Sequence, residues 1–163
     1  DTMLGRTAND LFWLSRYLER AENMARLVEV GYRIALLPRD GEGRHSEWLS
    51  TLQSAGCERG YNDKYETLQT RDVVNYLLFD LDNPSSVRSC FDTARRNARA
   101  QRTALTREMW ASLNGSWMEF NAIRPNGLSS GSLLEVSVSM PSMPANRSMS
   151  WASDQGSPSG PRP

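Results

Sequence analysis

Residues 7–36, TANDLFWLSRYLERAENMARLVEVGYRIAL, constrain the fold more than any other stretch. Set at about 100° per residue, Leu11, Leu14, Leu18, Ala21, Ala25, Val28, Tyr32 and Ala35 fall on one side. Spacings of three and four are those of a core-facing helix. Thr7 is placed to cap its start, and Asp10 three residues on resembles a capping box with Asp in the acidic position. Pro38 lies just beyond the end, where a helix stop belongs. Gly31 weakens the helix by about 1 kcal/mol relative to Ala but does not interrupt the pattern.

The opposite side carries Arg16, Glu19, Asn23 and Arg26, flanked by Arg20 and Glu22. It has two readings. The first is a solvated surface laced by pairs such as Glu22 with Arg26, each contributing a few tenths of a kcal/mol. The second is a polar site inside a larger bundle. Phe12, Trp13, Leu27 and Val30 interrupt the charges, and a purely solvated face has no need of them.

Residues 38–45, PRDGEGRH, read as a polar connection holding the single histidine, His45. It has no second ligand or nucleophile near it in sequence, so it is taken as incidental. Ser46 is expected to cap a short helix with Trp48, Leu49 and Leu52, stopped by Gly56. Residues 57–69 are polar, with one short helix expected. Thr70 is expected to cap a helix burying Val73, Val74, Leu77 and Leu78. Asn83 and Pro84 then signal a helix start, and the pattern carries on to about Asn114 with a bend near Thr103.

The apolar stripe of that helix is Val87, Cys90, Phe91, Ala94, Ala98, Leu105 and Met109. Arg88, Asp92, Arg95 and Arg99 lie roughly opposite, and Asn97, Gln101 and Glu108 share one shoulder of the buried face, where they need partners. Asp80 and Asp82 do not make a calcium loop, because Ser85 and Phe91 stand where Gly and a bidentate Glu are required. They are expected to favour the following helix N-terminus through its dipole. Acids exceed bases between Glu58 and Asp82, and arginines exceed acids from Arg88 to Arg107. The two segments are expected to pair with each other.

Composition narrows function. The 163 residues suit one domain, and a formal net charge of zero gives no global attraction to nucleic acid or acidic lipid. Aromatics are absent among the arginines from Arg95 to Arg107, which argues further against RNA. Cys57 and Cys90 have no motif spacing and are read as reduced thiols. No apolar run approaches the ~20 residues that span a bilayer, and no signal peptide is evident. The cytoplasm is therefore the expected location, with no membrane partner. There is no phosphate-cradling Gly loop, no metal-binding His or Cys cluster and no triad, so no cofactor or metal is implied. Any catalysis would fall to Glu, Asp and Arg. Residues 125–163 are crowded with Ser, Pro and Gly and read as a disordered, truncated or frame-shifted tail.

Two blocks resemble the bacterial alpha-E family: MLGRTANDLFWLSRYLERAENMARLVEV, residues 3–30, and VVNYLLFDLDNPSSVRSCFDTARRNARAQRTALTREMWASLN, residues 73–114. RYLERAEN and LLFD-x-DNP-S are the specific cores. One position departs: the family usually carries Glu where this chain has Arg96. The resemblance implies an all-α fold, a helical bundle of which residues 3–124 are the N-terminal part. Such domains are typically encoded beside, or fused to, circularly permuted ATP-grasp proteins and near transglutaminase-like proteins. That company points to an amide-forming or peptide-modifying system.

Three functions follow as expectations. In an accessory or binding module, Arg16, Arg20 and Arg26 with Arg95 and Arg99 grip a carboxylate, phosphate or peptide ligand, and Asn23, Asn97 and Glu108 add polar contacts. In an enzyme, Glu19 or Glu22 acts as general base from a partly dry interior. In a structural module, the charged helices merely pair with one another.

Overall fold

In the computed structural model of the chain, residues 2–38, 41–103 and 105–123 are described. They form six helices and, among the described residues, no strand: α1 (Thr2–Ala35), α2 (Gly41–Ser54), α3 (Glu58–Lys64), α4 (Thr70–Leu78), α5 (Val87–Ala100) and α6 (Arg107–Ala122). The fold is all-α. The expected tail at 125–163 lies outside the described residues.

The α1 stripe is the core of the molecule. Leu14, Leu18, Ala21, Ala25 and Val28 are buried, Met24 joins them, and Leu11, Tyr32 and Ala35 pack at the edges. α1 packs chiefly along α5, and also against α2 and α4. The two long partners run antiparallel. Near the start of α1, Asp10 accepts a hydrogen bond from Gln101 Nε2 just past the end of α5. Further along, Arg20 lies near enough to Cys90, early in α5, to act on its thiol. Ala21, Ala25, Ala94 and Ala98 are all at most 3% exposed, and such small residues let the two helices approach closely. Phe91, Leu77, Val87 and Leu78 fill the centre, each contributing roughly 1.5–3 kcal/mol on full burial.

α2 crosses α1 at Gly31. A Cβ there would lie 2.9 Å from Thr51 Oγ1 and 3.1 Å from Trp48 Cζ3, so the missing side chain permits the crossing. Trp48 is buried, and its Nε1 donates to Thr70 Oγ1 at 2.8 Å, tying α2 to α4. Gly56 takes φ +67, as expected of a helix stop. Gly56 N–H bonds the Gln53 carbonyl and Cys57 N–H the Leu52 carbonyl, the paired arrangement of a Schellman end.

Several expectations are corrected. α1 begins at Thr2, so Thr7 is inside the helix, and Asp10 serves Gln101 rather than a capping box. α2 begins at Gly41, placing His45 and Ser46 within it rather than in a connection and at a cap. Gln69 is the N-cap of α4, and Thr70 instead receives Trp48. The long helix expected from Pro84 to Asn114 is two. α5 starts after Ser86, whose side chain accepts from Ser89 N–H, and α6 starts after Thr106, whose side chain accepts from Met109 N–H. One straight helix of that length would extend about 45 Å and carry its second half off the core. The break, close to Thr103, lets α6 fold back. Phe120 stacks on Phe79 at 5.4 Å and on Phe91 at 5.6 Å between ring centroids. Leu113 and Phe120 are buried by this return, while Met109 is 37% exposed rather than in the stripe.

Asn83 is not a helix cap. It is 2% exposed, its Nδ2 donates to the Tyr76 carbonyl at 3.0 Å, and its Oδ1 accepts from Ser85 N–H at 3.0 Å. It pins the turn between α4 and α5. Asp80 and Asp82 do not serve the α5 dipole. Lys64 Nζ bridges them, 2.7 Å from Asp80 Oδ2 and 2.9 Å from Asp82 Oδ2. The acid-rich 58–82 segment thus spends these two acids on the single lysine. Among the described residues it forms no ion pair with the α5 arginines.

Candidate arginine-lined cleft

A cleft of about 640 Å³ opens where α1, the 81–85 turn and α5 meet. α1 contributes Tyr17 and Arg20, one turn apart on the flank of its buried stripe. The turn contributes Leu81, Pro84 and Ser85, held by the Asn83 bonds. α5 contributes Ser89, Asp92, Thr93, Arg95, Arg96 and Arg99, the face that its apolar stripe leaves outward. Among the described residues, four guanidinium groups therefore share a lining with a single carboxylate.

None of Arg20, Arg95, Arg96 or Arg99 forms an ion pair among the described residues. Arg95 is the most constrained. Its guanidinium carbon lies 4.6 Å from the centroid of the Trp117 ring on α6. Its Nε is buried without a hydrogen-bond partner. Burial first, then the neighbouring Arg99 charge, press the Arg95 guanidinium below the ordinary arginine range, with Asp92 acting the other way. It stays charged at neutral pH all the same. Arg96 Nη2 donates to Thr93 Oγ1 at 3.3 Å, and Thr93 Oγ1 in turn donates to the Ser89 carbonyl at 2.9 Å. The lining thus gathers four guanidinium groups, the chemistry that recognises planar or tetrahedral oxyanions.

The residues singled out from sequence divide cleanly. Arg20, Arg95 and Arg99 line the cleft. Arg16 pairs with Glu19 at 3.2 Å, the two side chains 60% and 52% exposed. Arg26 pairs with Glu22, and Arg33 with Glu29 at 2.7 Å. Asn23 and Glu108 are exposed, and Asn97 is half-buried on α5 outside the cleft lining. Glu19 and Glu22 are thus held by arginines of their own helix. Sequence reasoning did not select Arg96, Tyr17, Ser85, Ser89 or Thr93. Arg96 carried a signal only as the point where the sequence departs from the resemblance described above.

Both cysteines are free and buried. Burial pushes the Cys90 thiol up to about 11 and raises Cys57 as well, so neither is a thiolate nucleophile at neutral pH. Among the described residues no group of three or more His, Cys, Asp or Glu side chains is placed to hold a metal ion. No helix among them is long and apolar enough to cross a membrane.

The fold and cleft define an all-helical domain with a cationic groove beside its longest helix. Residues 3–142 match the Alpha-E family, described as a predicted alpha-helical domain with a conserved ER motif, and the chain belongs to that family. The matched residues run past the change in composition at residue 125. Two Glu-Arg dipeptides occur, Glu19–Arg20 and Glu58–Arg59, and the first places its arginine in the cleft. The chain is similar to uncharacterized proteins of Mycobacterium bovis and Mycobacterium tuberculosis, 32% identical over 117 residues. The match covers 64% of this chain but 13% of either relative, so the chain spans a small part of their length. No solved structure matches it.

Proposed function

We propose that this domain is a helical accessory module that binds an anionic ligand, a carboxylate, a phosphate or the acidic end of a peptide, in the α1–α5 cleft. The observation that carries the reading is the convergence of Arg20, Arg95, Arg96 and Arg99 on one cavity against Asp92 alone. Like charges gathered without an ion pair among the described residues disfavour the empty state, and a bound oxyanion relieves them. The system served is an ATP-grasp-linked amide-forming or peptide-modifying one, a reading that rests on the company kept by alpha-E domains. In it the domain presents or holds the acid component for a ligase partner.

The test is co-purification with a genomically adjacent ATP-grasp protein, followed by ADP release across candidate acids and amines. Loss of ADP release in Arg95→Met and Arg99→Gln, with the complex intact, is the expected result. Full activity in both variants would remove the cleft from the reaction.

A purely structural module is the second reading. It is favoured by the outer face of α1, where Arg16–Glu19, Glu22–Arg26 and Glu29–Arg33 are closed within one helix. On that reading the same arginine variants leave both complex formation and turnover unchanged.

A further inference from the structure

Resting on the anion-binding reading, we infer that the cleft takes a dianionic ligand, with its two negative charges on one phosphate group or on two carboxylates of the same molecule. Four guanidiniums set against the Asp92 carboxylate leave an excess of three positive charges in one cavity. A monocarboxylate neutralises one of these charges, so it would leave two positive charges uncompensated. The whole chain is neutral, so this excess is a local concentration and not a general basicity.

The placement of the charges supports the same conclusion. Arg95 and Arg99 stand one helical turn apart on α5, a like-charged spacing that is unfavourable without a counter-charge. Arg20 reaches the cleft from α1, near the level of Cys90. Arg95, Arg96 and Arg99 cover about 6 Å of the α5 rise, and Arg20 stands on the other helix. The cationic groups therefore come from two walls of the groove, and a second anionic charge lets more of them be met. Leu81, Pro84 and Tyr17 supply apolar wall, which strengthens the field felt by a bound anion.

The experiment is calorimetric titration of the 163-residue chain with acetate, succinate and inorganic phosphate, at matched ionic strength and about pH 8, where phosphate is largely dianionic. Phosphate or succinate should bind at least about tenfold more tightly than acetate. Preference for phosphate places both charges on one group; preference for succinate places them on two. Arg99→Gln should weaken the preferred dianion about tenfold, and Asp92→Asn, which raises the local excess, should tighten it several-fold. Both positions lie on the outer face of α5, and circular dichroism verifies the fold of each variant. Acetate binding as tightly as either dianion would overturn this inference and leave the anion-binding reading standing. Unchanged or weaker dianion binding in Asp92→Asn would also overturn it. Absence of binding by all three probes would overturn both readings.

Discussion

The turn between α4 and α5 has a different charge cluster on each side. On one side Lys64 sits between Asp80 and Asp82, with both bonds under 3 Å. On the other, four arginines surround a cavity with one aspartate. The first cluster is closed: its cation is met by the chain itself, which ties α3 to the turn. The second is open, and its excess charge has to be met from outside. The same residue chemistry thus does two things, and the local balance of charge decides which.

This contrast can be broken in order of effect. The largest should come from Asn83→Ala, because Asn83 holds the turn that both clusters share. Loss of its bonds to the Tyr76 carbonyl and Ser85 N–H in a buried setting should cost about 1–3 kcal/mol in denaturant unfolding. Anion binding in the cleft should weaken with it. An Asn83→Ala chain of unchanged stability would show that the turn is held by other contacts.

Lys64→Met comes next. It should lower the thermal midpoint, since Asp80, whose side chain is 7% exposed, would lose its cation. The pH dependence has a definite sign. The Lys64 ammonium, through its hydrogen bond and its charge, holds Asp82 below the ordinary carboxylate range. The stabilisation is therefore complete above about pH 4 and is lost as pH falls through the lowered value. Lys64 itself is raised by Asp80 and Asp82, so its contribution persists until strongly alkaline pH. An acid unfolding curve that is the same in Lys64→Met and the parent chain would contradict this.

Arg99→Gln should move stability the other way. Removing one member of a like-charged i,i+4 pair should raise it by about 0.2–0.5 kcal/mol at low salt, with the gain vanishing at high salt. A loss of stability instead would mean that the cleft arginines are structural. An effect of the same small size and opposite sign is expected from Glu22→Gln, which opens a pair on the outer face of α1 and should cost about 0.3–0.5 kcal/mol.

The α1 stripe was legible because its period is long and uninterrupted; Leu14 through Val28 went where spacing put them. Helix ends were less legible. Ser46, Thr70 and Asn83 have the chemistry of caps, yet Ser46 lies inside α2 and the other two bond elsewhere, because a cap signal says only that a side chain can bond a nearby amide. Tertiary contacts decide which amide or carbonyl it meets, as Asn83 does with Tyr76. The cleft was half legible. Arg95 and Arg99 stood out as charges off the apolar stripe of α5, and Arg20 as a flank of the α1 face. Arg16 and Arg26 looked equally suitable, and only the rotation of α1 against α5 separates them from Arg20. The charge imbalance along the chain was real, but it gave the wrong partner for Asp80 and Asp82: Lys64 was nearer in space than any arginine of α5.

Gly31 has a consequence for how sequence change spreads. The space beside it is closed by Thr51, whose hydroxyl is tied to the Glu47 carbonyl, and by the buried Trp48. A methyl at position 31 would lever α2 outward. Because the Trp48 indole is fastened to Thr70, that push would be handed on to α4, and three helices would shift together. The absence of one side chain therefore acts as a hinge pin, and substitutions at position 31 are expected to survive only alongside smaller residues at 48 or 51.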